Sequence, residues 1–206
     1  MVEKSKTSLN LKIEKSLWKQ GFTQVAGVDE AGCGPLAGPV VAAAVILPIK
    51  IRNLEIRDSK KLLPAKREKL YTFLVENSIS YGVGIVSHEE IDRINIRQAS
   101  FLAMRMAIEQ LIVEPDYLLV DGFKLPETPI QQLPIVNGDE SCFSIASASI
   151  IAKVTRDRLM DEYHLQFPQY GFNKHRGYAT AYHREMLIRF GPCELHRKTF
   201  LRKIFP

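Results

Sequence analysis

The chain has 206 residues, 46% of them hydrophobic, and a formal charge of +5, enough for one good-sized core and a lean towards an anionic partner such as nucleic acid. No low-complexity linker divides it, so a single domain over 1–206 is expected, with a core over about 20–190 and a tail over 191–206. Three widely spaced cysteines argue against a disulfide framework or a zinc site, no secretory segment opens the chain, and the longest apolar run, 40–47, is far too short to span a bilayer, so no membrane is involved and a cytoplasmic location is expected.

Residues 1–19 are lysine-rich with Leu9, Leu11, Ile13, Leu17 and Trp18 interspersed, which predicts a short helix packed on the body. The stretch 24–47 follows. Its first apolar run ends in two adjacent carboxylates, Asp29 and Glu30, and a glycine-rich bend, Gly32-Cys33-Gly34-Pro35, leads into a second, longer apolar run. Two strands joined by an acid-bearing loop is the simplest reading. Carboxylates at the end of a buried strand must be paired or must bind a cation, and a divalent metal is the obvious partner. Residues 32–37 also fit the pattern G-x-G-x-x-A, but a β-like run follows where a dinucleotide fingerprint needs a helix.

Asp58-Ser59-Lys60-Lys61-Leu62-Leu63-Pro64 caps a helix over 65–76, and its lysines suit either a phosphate or plain solvent. A third strand over 80–87 completes an antiparallel meander. Ser87-His88-Glu89-Glu90 opens a short helix with His88 at the surface, and 96–113 carries apolar residues at helical spacing. Tyr117-Leu118-Leu119-Val120 is a fourth strand that again ends in an acid and a glycine, Asp121-Gly122. If the two strands adjoin, Asp121 comes beside Asp29. An edge strand over 133–136 precedes Asn137-Gly138-Asp139-Glu140-Ser141 and a helix over 141–163, and by itself Asp139 reads as an ordinary cap. The small residues Ala146, Ser147, Ala148 and Ser149 allow this helix to lie close on the sheet. Arg156 and Asp157 read as structural partners, and Lys153 as within reach of the acids. Finally Phe167-Pro168-Gln169-Tyr170 and Lys174-His175-Arg176-Gly177-Tyr178 interleave aromatics with cations, which suits sugars, bases and phosphates, ahead of a helix over 180–189.

These motifs, in this order from about 25 to about 200, resemble the signatures of the type 2 ribonucleases H, and of bacterial ribonuclease HII in particular. The resemblance implies an α/β ribonuclease H-like fold: a mixed five-stranded sheet flanked by helices, with a C-terminal helical extension. It implies that Asp29, Glu30, Asp121 and Asp139 form a four-carboxylate catalytic and metal-binding set for one or two Mg²⁺ or Mn²⁺ ions, with Asp29 central. The implied reaction is cleavage of the RNA strand of RNA/DNA hybrids and incision 5′ of ribonucleotides embedded in duplex DNA, leaving 5′-phosphate and 3′-hydroxyl ends. The implied substrate-binding residues are Gly32, Cys33, Gly34, Ser59, Lys60, Lys153, His175, Arg176 and Tyr178, with Tyr178 against the deoxyribose 3′ of the junction. A monomer is expected. With Asp29 so near the start, the additional N-terminal domain of ribonuclease HIII is not expected here.

The family loop ordinarily reads Gly-Arg-Gly, and here Cys33 replaces the arginine, which removes a phosphate contact. A readout of the 2′-hydroxyl by main-chain groups survives that change. Some family members dock a C-terminal tail on a replication sliding clamp, but residues 198–206 lack the glutamine that opens such motifs, so Phe200, Leu201 and Phe205 are expected to pack on the body. Two other readings remain: another metal nuclease of the same fold, which would lack the glycine loop and the His-Arg-Gly-Tyr region, and a binding protein without catalysis, which would lack an acid. All four acids are present.

Overall fold

A computed structural model describes residues 9–51, 55–56, 59 and 62–202. Among these, β1 (Val25–Ala31), β2 (Val40–Ile46) and β3 (Ser80–Val86) form the antiparallel meander, with Asp29 opposite Ala43. β4 (Tyr117–Asp121) lies parallel to the other edge of β1, and β5 (Gln132–Ile135) lies parallel to β4. The sheet order is β3-β2-β1-β4-β5. β1 therefore sits at the centre, where a strand covered on both faces must be apolar throughout, as Val25 to Val28 are.

Helix α3 (His88–Ile94) is followed by α4 (Ile96–Glu109), whose Phe101, Ala103 and Met104 cover Ala26, Val28 and Leu118 on one face of the sheet. The other face carries α2 (Pro64–Asn77) and the long helix that follows Asp139. That helix, expected over 141–163, is α6 (Phe143–Gln166), and a separate turn of helix, α5 (Gly138–Ser141), precedes it across Cys142, whose backbone is extended at φ −114° and ψ 126°. The cap comes from far away. Glu14, on α1 (Lys12–Lys19) and fully buried, accepts the backbone N–H of Ser144 at 2.8 Å and lies 3.3 Å from the Cys142 thiol. A carboxylate at the N-terminus of a 24-residue helix complements its dipole, so no local capping residue is needed.

The C-terminal extension comprises α7 (Phe172–His175), α8 (Ala181–Phe190) and α9 (Lys198–Leu201), gathered around a small core of Met160, Tyr170, Phe172, Leu187 and Leu201. Leu201 is buried and Phe200 half-buried against the body. The expectations for Lys60 and Phe205 lie outside the described residues.

Two histidines in this extension make the fold acid-sensitive. His183 and His196 are buried, and burial pushes both down to about 4. An unfolded histidine takes up its proton near about 6.5, so between those values the unfolded chain binds more protons than the folded one. Stability is therefore expected to fall as pH drops from about 6.5 towards 4, by up to about 1.4 kcal/mol per pH unit for each ring. Urea midpoints across that window should show a steeper slope for the wild type than for His196→Gln; equal slopes would show that His196 does not contribute to the acid limb.

Candidate active site

The sheet register delivers the first pair of acids. Val28 lies beside Val120 on the parallel strand, so the next residues, Asp29 within β1 and Asp121 at the end of β4, lie side by side. Both project towards α6, as do their alternates Gly27, which abuts Ser144, and Leu119, which packs with Ile145. Glu30, one residue on, projects to the opposite side, where its Oε1 lies 3.1 Å from the Cys33 thiol. Asp121 Oδ1 accepts the Gly138 N–H at 2.7 Å, which fixes the turn leading to Asp139, buried in the first turn of α5.

Asp29 is 4% exposed, and its carboxyl is held well above the usual carboxylate range. Burial is the largest cause, followed by the negative charges of Glu30 and Asp121, with a smaller contribution from Asp139; a hydrogen bond with Ser149 acts the other way. All three other acids thus bear on one buried carboxyl. Among the described residues, no three His, Cys, Asp or Glu side chains are gathered tightly enough to chelate an ion as they stand. What converges is the charge, and an all-oxygen, acid-rich donor set of this kind fits a hard divalent cation.

A cavity of about 210 Å³ beside these acids unites Glu30 with Gly32, Cys33, Gly34, Lys153 and Tyr178. Ser59 and Ser149 also reach it, joined by a 3.0 Å contact between their hydroxyls, so Ser59 connects through Ser149 to Asp29. Lys153 Nζ lies 2.6 Å from Asp157, and burial lowers its pKa. Burial and the neighbouring Glu30 charge push the Cys33 thiol up to about 12, so it stays protonated between Glu30 and Ser100, 3.2 Å away. Tyr178 is exposed and faces the glycine loop across this space. A second cavity, of about 340 Å³, opens on the far side of Glu30 towards Asp121 and is walled by Phe123, with the Arg97 guanidinium 4.8 Å above its ring.

His175 and Arg176 line neither cavity. The His175 ring is buried, donates from Nε2 to the Tyr170 carbonyl at 2.7 Å and stacks on His183. Arg176 binds the Asp161 carboxylate and the Asp157 carbonyl. Both side chains are thus engaged within the extension, away from the two acid-lined cavities. Sequence reasoning missed Ser149 as a partner of Asp29, because a serine in a run of small helical residues carries no local mark of what it faces. It also missed Arg197, whose carbonyl partners lie at residues 32–39.

A mixed five-stranded sheet whose adjacent central strands carry carboxylates side by side, with further acids from the next strand position and a following helix, defines a nuclease of the ribonuclease H-like fold. Residues 26–205 match the family model described as ribonuclease HII. Ribonuclease HII of Caldanaerobacter subterraneus subsp. tengcongensis is 55% identical over 191 residues, 93% of this chain and 79% of that protein. Among solved structures, the ribonuclease H2 from Pyrococcus horikoshii OT3 matches with a TM-score of 0.75 at 28% identity, over 88% of this chain and 96% of that one. The ribonuclease HII from Archaeoglobus fulgidus, solved in complex with PCNA, matches with a TM-score of 0.73 at 28% identity, over 85% and 94% of the two chains. The chain belongs to the ribonuclease HII family and is a ribonuclease H. Among the described residues no helix is long and apolar enough to cross a membrane.

Proposed function

We propose that the chain cleaves the RNA strand of RNA/DNA hybrids and incises duplex DNA 5′ of embedded ribonucleotides, leaving 5′-phosphate and 3′-hydroxyl ends. The observation that carries this reading is the side-by-side placement of Asp29 and Asp121 on adjacent strands, with the charges of Glu30 and Asp139 also bearing on the buried Asp29 carboxyl, beside a groove shared by the glycine loop and Tyr178. Asp29, Glu30, Asp121 and Asp139 would hold one or two Mg²⁺ or Mn²⁺ ions. Such an ion, when bound, supplies Lewis acidity towards a phosphate oxygen and makes water a better nucleophile.

The chain's own groups orient that set and select the substrate. Ser149 directs Asp29, and the Gly138 N–H directs Asp121. Lys153 places a cation in the groove for the phosphate backbone. The main chain at residues 32–34 approaches the ribose, and a hydroxyl that donates and accepts is what such backbone groups can sense. Cys33 turns its thiol inward to Glu30 and Ser100, so ribonucleotide selection rests on the backbone and survives the loss of the family arginine. Tyr178 forms the opposite wall, against the deoxyribose on the 3′ side.

The direct test is cleavage of a duplex containing one ribonucleotide, with and without magnesium. Incision only at the ribonucleotide and only with the metal is expected; equal cleavage of an all-DNA duplex would sink the reading. Gly34→Ala probes the close approach. A methyl group there meets nothing nearer than the Tyr178 ring at 3.8 Å, so the melting temperature should hardly change. The methyl would nevertheless stand between backbone and ribose, and ribonucleotide-dependent cleavage is expected to fall by about 10- to 100-fold. Wild-type cleavage by this variant would mean that the loop does not touch the sugar.

Docking of the chain end on a sliding clamp is the lesser reading. The Archaeoglobus fulgidus relative was solved with PCNA, but Phe200 and Leu201 of this chain are engaged with the body.

A further inference from the structure

Both walls of the groove trace back to one buried dipeptide of the C-terminal segment. Arg197, fully buried, donates from Nε to the Gly38 carbonyl at 3.0 Å and from Nη1 to the Cys33 carbonyl at 3.1 Å. Its Nη2 donates to the carbonyls of Gly32 at 2.7 Å and Pro39 at 3.2 Å. The planar guanidinium therefore ties together both ends of the glycine loop, with each bond made to backbone that no side-chain substitution alters. Its own N–H adds a bond to the Leu36 carbonyl at 2.8 Å, and the Gly38 N–H returns one to the Leu195 carbonyl at 2.9 Å.

His196 reaches the other wall through His183. The Tyr178 carbonyl lies 2.8 Å from His183 Nδ1. A carbonyl only accepts, so Nδ1 carries the hydrogen and Nε2 of the neutral ring is a lone pair. That Nε2 lies 3.0 Å from His196 Nε2, which must be the donor. His196 Nδ1 then accepts, and the Cys193 N–H is there to donate at 3.0 Å. The Cys193 carbonyl is already engaged by the His196 N–H at 3.1 Å. One tautomer of each ring satisfies the contacts to Tyr178, between the two rings and from the Cys193 N–H, leaving the 3.2 Å approach of His196 Nδ1 to the Cys193 carbonyl without a hydrogen, and the chain of bonds ends on the peptide group of Tyr178.

We propose that His196 and Arg197 form a positioning dipeptide that holds the glycine loop and Tyr178 in register for reading a single 2′-hydroxyl. Neither residue touches substrate. The inference rests on the proposed reading of the groove as the place where a ribonucleotide is sensed. Register matters unequally for different substrates. A continuous RNA strand offers a hydroxyl at every step, so a displaced pair of walls still finds one. An embedded ribonucleotide offers only one, and both walls must meet it at once.

The test compares kcat/KM on a duplex with one ribonucleotide and on a continuous RNA/DNA hybrid, well below the melting temperature of each variant. His196→Leu removes the donor to His183, and Arg197→Lys keeps the charge but cannot span four carbonyls. Each is expected to lower the single-ribonucleotide rate about tenfold more than the hybrid rate. His196→Gln, which retains a donor N–H near the Nε2 position, should restore the wild-type ratio. If His196→Leu does not fold, Arg197→Lys decides the matter alone. An unchanged ratio in Arg197→Lys, whatever the drop common to both substrates, overturns the proposal and leaves the dipeptide a role in folding only. A wild-type chain that ignores the embedded ribonucleotide overturns the functional reading instead, and this one with it.

Discussion

Asp29→Asn is expected to abolish cleavage while raising the melting temperature. The carboxyl is buried and faces the charges of Glu30, Asp121 and Asp139, so its ionised form is held at a free-energy cost that the unfolded chain does not bear. Asparagine preserves the shape. Its carbonyl oxygen can still accept the Glu30 N–H, now 2.7 Å from Asp29 Oδ1, and its amide can still bond Ser149. Removing the charge should therefore stabilise the fold at pH 7. The sign follows from the direction of the shift. A carboxyl whose folded pKa lies above its unfolded value is a liability above the folded pKa, and the liability fades as pH falls through that value towards the unfolded one. The gain in the variant is therefore largest at neutral pH and should vanish in acid. Activity should fall by at least about a thousandfold, because a neutral amide cannot hold a divalent ion as a carboxylate does. Near-normal magnesium-dependent cleavage, or a lower melting temperature at pH 7, would remove Asp29 from the centre of the site.

Gly27→Ala should be nearly as damaging for a different reason. A Cβ built on Gly27 falls 2.2 Å from both the carbonyl carbon and oxygen of Ser144 and 2.7 Å from the Ile145 nitrogen. All three are backbone atoms of α6, which cannot yield as a flexible side chain can. Either the helix or the central strand must shift, at a cost of about 3 kcal/mol or more. The shift acts on the site directly, since Gly27 precedes Asp29 by two residues on the same face, and α6 carries Ser149. Thermal unfolding and cleavage should both suffer, and restoring the temperature margin by working in the cold should not restore the rate. A variant as stable and as active as the wild type would show that helix and strand are not in the close contact described.

Much of the site was legible in the sequence because it depends on patterns of short range. Apolar runs that lead into an acid announce buried strands carrying carboxylates, while the adjacency of the first and fourth strands was only a condition that the sheet order then met. Asp29, Glu30 and Asp121 needed only those runs, whereas Asp139, a plain cap by its local setting, was singled out through the family resemblance. The short alternating run over 80–87 and the proline at the start of α2 are likewise local and were visible as such.

Only the tertiary structure decided which buried polar groups support that site, because their partners are remote in the chain. Glu14 caps α6 from 130 residues away, just after the extended backbone at Cys142. Ser59 meets Ser149 across 90 residues, and Arg197 meets Gly32 across 165. His175, which its aromatic and basic neighbours made look like a substrate contact, is drawn into the core of the extension beside His183. Propensity and hydrophobic period describe how each segment folds on itself, but a hydrogen bond between buried side chains is settled by which segments the packed core brings within about 3 Å of one another. The acids were therefore written in the sequence, and the scaffold that aims them was a property of the fold.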